Sequence, residues 1–240
     1  MQPLFRAAAA ALLFSLGPAN AGDMATVEIL GFSADGSLFA FEEYGVQDGS
    51  GFPYANRFYI DTASDDFLPG TPIRVRLDDE QATVELAREE ARKRAQAISS
   101  DNELKENLGF QAGWNDVTEL SADPHRMIVN PRPIVPPLDD PLEFRLEEVP
   151  VAQSENCEGM GDTVGFRLLR IGTVAGAETA ILHEDEQVPP SRACPLGYRI
   201  AGVQTFHPPG GEPVFAVLIA VRRVGFEGPD HRFLAVTGKL

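Results

Sequence analysis

The sequence predicts a mainly β protein of the α+β class: antiparallel, blade-like meanders in a sandwich or small open propeller-like assembly, with one amphipathic helix at about 78–99. Three observations carry this. Short runs of alternating apolar and polar residues, bounded by Gly, Pro and Asp, recur along the chain. Only one stretch has the 3.6-residue period of a helix. Two stretches, from Phe32 and from Phe206, share one order: an aromatic residue, a turn, an apolar strand, a Gly-rich loop containing Gly-Phe, and an Arg-Phe strand.

Residues 1–21, MQPLFRAAAAALLFSLGPANA, have the form of a secretory signal. Arg6 supplies the positive start, and Ala7 to Leu16 is an apolar run too short to span a bilayer. Ala19-Asn20-Ala21 fits the small-x-small rule, placing cleavage between Ala21 and Gly22 and leaving 22–240 as a single secreted β-rich domain. No transmembrane segment is expected.

Thr26 to Gly31, Leu38 to Glu43 and Arg57 to Asp61 read as a three-stranded meander, with Asp35-Gly36 able to turn a tight hairpin. In Asp78–Ser99, Val84, Ala87, Ala91, Ala95 and Ile98 form one stripe. Asp78 and Gln81 suggest a capping box, and Glu89 with Lys93 and Glu90 with Arg94 are favourable i,i+4 pairs. Residues 100–141 read as irregular, with a short helical turn near Glu103–Leu108 and a proline-stiffened connector over 131–141. Strands resume with Leu142, Phe144 and Leu146 facing in. Gly165–Ile171 and Glu178–His183 suit a hairpin, Tyr198–Phe206 a further strand, and His231–Thr237 the last. Val214–Val221 (VFAVLIAV) is apolar on both faces, which demands an interior position.

In an exported chain the only two thiols, Cys157 and Cys194, are expected to pair. The closed loop of roughly 38 residues contributes about 4 kcal/mol in the chain-entropy picture.

With 20 Lys and Arg against 36 Asp and Glu, the net charge is −16 and the pI near 4.6. That argues against nucleic acid and anionic membrane surfaces as partners. Familiar catalytic patterns fail on inspection. Ser33 follows Gly31 as in a nucleophile elbow, but Asp35 stands where the second Gly is needed. Gly159, Gly161 and Gly165 miss the dinucleotide fingerprint because Val164 occupies its third Gly position. His125, His183, His207 and His231 are dispersed, and His183-Glu-Asp-Glu186 reads as surface rather than as a metal site. Glu42 and Glu43 are neighbours on a strand and so face opposite ways, which rules out a shared sugar between them. No metal or other cofactor is implied.

The candidate binding loop is Tyr44, Phe52 and Tyr54 around a Gly-rich turn, with Glu43 and Arg57 nearby. Exposed aromatics there would stack on a glycan or peptide; alternatively Phe52 and Tyr54 fold back to cap the sheet.

The segments GFSADGSLFAFEEYGVQDGSGFPYANRFYID, PPSRACPLGY and GFEGPDHRFLAVTG, behind a signal peptide, resemble a family of predicted secreted bacterial proteins described as a domain of unknown function. Within them FSADG followed by an apolar strand is similar to the FSxDG unit of TolB- and WD-type propellers. The resemblance implies export and one domain, and no activity or site residues. The expectation is a periplasmic or secreted, non-enzymatic binding module that presents loops on a β scaffold to an envelope protein or polysaccharide. Two alternatives stay open: a secreted hydrolase built from dispersed His and acids, and a structural envelope protein.

Overall fold

The computed structural model describes residues 22–152 and 155–240; the expected signal, residues 1–21, lies outside them. Among the described residues, thirteen strands form three antiparallel sheets. The first contains β1 (Thr26–Phe32), β2 (Leu38–Val46), β3 (Pro53–Asp61), β4 (Asp66–Phe67) and β5 (Ile73–Arg76). Helices α1 (Val84–Ala95) and α2 (Asp101–Glu106) follow. Next come β6 (Phe110–Trp114), β7 (Arg126–Val129), β8 (Leu142–Pro150), β9 (Val164–Ile171) and β10 (Ala180–Glu184). The chain closes with β11 (Pro195–Phe206), β12 (Val214–Arg223) and β13 (Asp230–Lys239). The central sheet runs β13-β12-β11-β6, and the third runs β10-β9-β8-β7.

The sheets stack as layers, and β12 shows why. Phe215, Val217, Ile219 and Val221 pack on Phe144, Phe166 and Leu168 of the third sheet. Val214, Ala216, Leu218 and Ala220 pack on Phe39, Phe41 and Phe58 of the first. Small alanines on that face leave room for the phenylalanines opposite, which is how two interiors reach close packing. The eight-residue apolar run is therefore interior on both faces, as its composition demanded. Both echoing stretches are antiparallel meanders, β1-β2-β3 and β11-β12-β13. They lie in stacked sheets, the sandwich form of the expected fold.

The outer face of the first sheet is covered by the helices. Ala87, Ala91 and Ala95 are fully buried against Ala40, Ala55 and Tyr59, so α1 lies close to the sheet. Gly31 (φ +127°) lets α2 approach: a Cβ there would sit 1.9 Å from the Leu104 carbonyl oxygen. The helix is shorter than expected. Asp79 makes a side-chain turn to the Gln81 amide (2.9 Å), which delays the start until Thr83 Oγ1 accepts from the Leu86 amide (3.3 Å). Asp78, the expected cap, instead pairs with Arg76 (2.7 Å). The segment expected to be irregular holds α2, β6 and β7; β6 extends the central sheet by pairing with β11, and β7 pairs with β8. Four- and five-residue strands carry too little alternation to stand out. The 131–141 connector forms neither helix nor strand, and Val135 is 95% exposed.

Cys157 and Cys194 form a disulfide with Cα atoms 5.6 Å apart. Among the described residues no helix is long and apolar enough to cross a membrane.

Candidate functional site

Strand β13 is one edge of the central sheet, and edges need protection. Here it comes from carboxylates of the first sheet. Glu43 Oε2 accepts the Phe233 amide (2.8 Å), while its Oε1 takes Asn56 Nδ2 (2.9 Å). Asp65 Oδ1, from the β3–β4 turn, accepts both the amide (2.6 Å) and the hydroxyl (2.9 Å) of Thr237. At the start of the strand, the His231 amide donates to the Asp23 carbonyl (2.8 Å), and the Ala25 amide donates to that of His231 (3.2 Å). Burial pushes the Glu43 and Asp65 carboxyls up, against the lowering effect of these bonds.

A cavity of about 550 Å³ lies along this edge. One wall is the first sheet. Register places Glu43, Asn56 and Arg74 side by side across β2, β3 and β5, with Tyr54 and Arg76 in the next row. The other wall is the third-sheet side, with His183 of β10 and the turn that carries Arg192. The disulfide anchors that turn through Cys194, two residues beyond Arg192.

Five of the seventeen arginines line this one space: Arg74, Arg76, Arg192, Arg223 and Arg232. The carboxylates that pair with four of them (Asp23, Asp78, Asp185 and Asp230) stand outside the lining, which holds two carboxylates of its own, Glu43 and Asp65. Arg232 is pinned by the Asp23 carboxylate and lies 4.6 Å from the Tyr54 ring centroid. Arg192 donates to Asp185 Oδ2 (2.5 Å). Burial alone would raise the Asp185 carboxyl, but bonds from His183 (3.0 Å), the Phe166 amide (2.9 Å) and Arg192 outweigh it and hold it low.

Two of the arginines keep donors to spare. Arg74 is exposed and has no hydrogen bond or ion pair among the described residues. Among the described residues Arg223 has one ion pair, with Asp230 at 3.6 Å, and shares that carboxylate with Arg232 at 3.8 Å. Burial and the neighbouring Arg232 cation push the Arg223 guanidinium below its usual pKa. The negative charge of an incoming anion offsets both effects.

The expected binding loop does not converge. Tyr54 is buried, lines the cavity and donates to Asp23 Oδ1 (3.1 Å). Phe52 is half-buried, with Arg76 5.9 Å from its ring centroid. Tyr44 and Arg57 are on the opposite face of the sheet. Tyr44 lies under Arg88 (3.9 Å), and Arg57 makes a bidentate bond to Asp101 of α2 (2.9 and 2.8 Å). Strand alternation explains the split, since Tyr54 and Arg57 are an odd number of residues apart. The same rule separates Glu42, which faces the helices, from Glu43. His183, read as surface, is in the cavity wall with its ring stacked on Phe166 (4.5 Å).

Comparisons with curated proteins and with solved structures return no match. A family model described as "predicted secreted protein (DUF2259)" matches residues 40–239, from within β2 to the end of β13. The chain belongs to this family of predicted secreted proteins of unknown function.

Proposed function

We propose that this protein is a binding module whose groove beside β13 takes an anionic ligand, an envelope protein or polysaccharide segment being the partner class. The observation that carries it is the reversal of charge: five arginines line one cavity of a chain whose net charge is −16, and Arg74 and Arg223 there keep unspent donors. The FSxDG motif at 32–36, similar to propeller units, supports this reading as the hairpin that brings β2 and Glu43 to the edge of β13. Thermal melts test it. Millimolar citrate raises Tm in wild type and not in Arg74→Glu, while spermidine does neither. An equal rise with spermidine, or none with citrate, refutes it.

A hydrolase reading rests on His183, which bonds Asp185 and lines the cavity with Ser191. Against it, no hydrogen bond joins Ser191 to His183 among the described residues, and the second oxygen of Asp185 is taken by Arg192 and the Phe166 amide. Ser191→Ala separates the readings, because anion binding survives it.

A further inference from the structure

The backbone of β13 narrows the ligand class. In an antiparallel edge strand the N–H and C=O groups of alternate residues point away from the sheet. The outward set here contains residues 231, 233, 235 and 237, since the amides of His231, Phe233 and Thr237 all bond outward, to Asp23, Glu43 and Asp65. Between the two carboxylates Ala235 is left. Its N–H and C=O, with the Phe233 carbonyl, face the cavity and have no partner among the described residues.

The surroundings suit one more strand. Packed sheets lie about 10 Å apart and neighbouring strands about 4.8 Å. The cavity continues the central sheet outward between the other two, beside β13 whose own residues alternate between them: Phe233 packs toward the first sheet, Leu234 and Val236 toward the third. Side chains of an added strand would alternate in the same way. One would meet Arg74 and Arg76, and the next Arg192 and His183.

Resting on the reading of the groove as an anion site, we infer that its ligand is a short extended acidic polypeptide segment that pairs with β13 at Ala235 and points adjacent carboxylates at opposite walls. Main-chain bonds supply the pairing and the arginines supply the selectivity, as in strand addition generally. Glu43 and Asp65 bound the open window, so the paired stretch is about four residues. A peptide matches the edge because the unpaired groups alternate donor and acceptor along the strand; a polyanionic glycan uses the arginines alone.

Fluorescence polarisation with a labelled hexapeptide, Thr-Val-Asp-Glu-Val-Thr, tests this on the purified protein. Saturable binding is expected, competed by citrate. An Asn-Gln replacement of the acidic pair, N-methylation of both central amides, and Arg74→Glu should each weaken it at least tenfold. Ala235→Pro removes an N–H that β12 does not use, so the fold tolerates it and binding falls by a similar factor. Should that variant not fold, the N-methylated peptide decides. If citrate or a uronate oligosaccharide binds in an Arg74-dependent way while N-methylation changes nothing, strand addition is wrong and the anion site stands. If no anionic probe binds, both readings fall.

Discussion

The two faces of the first sheet carry similar residues arranged to opposite ends. Under the helices, Arg57 and Arg88 meet Glu28, Glu42 and Asp101. Arg88 donates to Glu42 Oε2 through Nε (3.0 Å) and Nη2 (2.7 Å) and pairs with Glu28, while Arg57 grips Asp101 with both terminal nitrogens. Two guanidinium groups lie among three carboxylates beneath α1 and α2, beside a smaller cavity of about 290 Å³, with Glu42 Oε1 and Arg57 Nε left without a hydrogen bond among the described residues. On the other face, beginning one residue later at Glu43, the carboxylates are spent on the backbone of β13 and the arginines are left facing a cavity. Under the helices both guanidinium groups are held by carboxylates of the cluster; in the groove Arg74 has no ion pair among the described residues, which leaves it available to a ligand.

The largest effect should come from breaking the face under the helices. Arg57 is 2% exposed, and Arg57→Ala takes from Asp101 its bidentate partner while Glu42 keeps Arg88, costing about 3–5 kcal/mol by denaturant unfolding. A loss below about 1 kcal/mol would mean the network is solvated and the contrast between the faces is false. Next comes the disulfide. Replacing Cys157 and Cys194 with Ala should cost about 4 kcal/mol from the loop it closes. Because the bridge also anchors the Arg192 turn, anion affinity should fall in this variant at temperatures where it remains folded.

Glu43 sharpens the comparison at a smaller scale. Glu43→Ala leaves the Phe233 amide unpaired and should cost about 1–3 kcal/mol. Glu43→Gln keeps an acceptor and removes the buried charge. Burial raises the folded carboxyl above its usual 4.5, so the stability it contributes is complete below the unfolded pKa and is lost as pH rises through the folded value. Glu43→Gln should therefore gain on wild type as pH rises above about 4.5. Melts of the pair at several pH values that stay parallel would refute a raised folded pKa.

Elements with strong periodicity were legible in the sequence. The Val214–Val221 run specified an interior strand, and the alanines at 87, 91 and 95 specified a helix pressed close to a sheet. Its N-terminus was not, because Asp78 and Thr83 both suit a cap and only the Asp79 turn decides between them. Strands β6 and β7 were hidden by their shortness, and the layering by long-range pairing: β6, at 110–114, joins a sheet whose other strands begin at 195. The site was hidden for the same reason. Its arginines come from β5, the turn before Cys194, β12 and β13, and no local spacing links them. Alternation did contain one usable signal. It separates Tyr54 from Arg57 as surely as it separates Glu42 from Glu43, and so divides the expected binding loop. Burial of Glu42 and Glu43 was not visible, since glutamates are normally exposed and their partners, Arg88 and the Phe233 amide, are distant in sequence.

The most direct test compares equal charge changes at two places. Arg74→Glu alters the groove, and Lys93→Glu alters the exposed side of α1. Each makes the protein more acidic by the same amount, and neither residue has a buried partner, so both should cost less than about 0.5 kcal/mol of stability. Calorimetric titration with citrate should find wild type and Lys93→Glu binding alike and Arg74→Glu at least tenfold weaker. Equal weakening in both variants would mean the anion senses only net charge, and unchanged binding in Arg74→Glu would mean the groove is not its site.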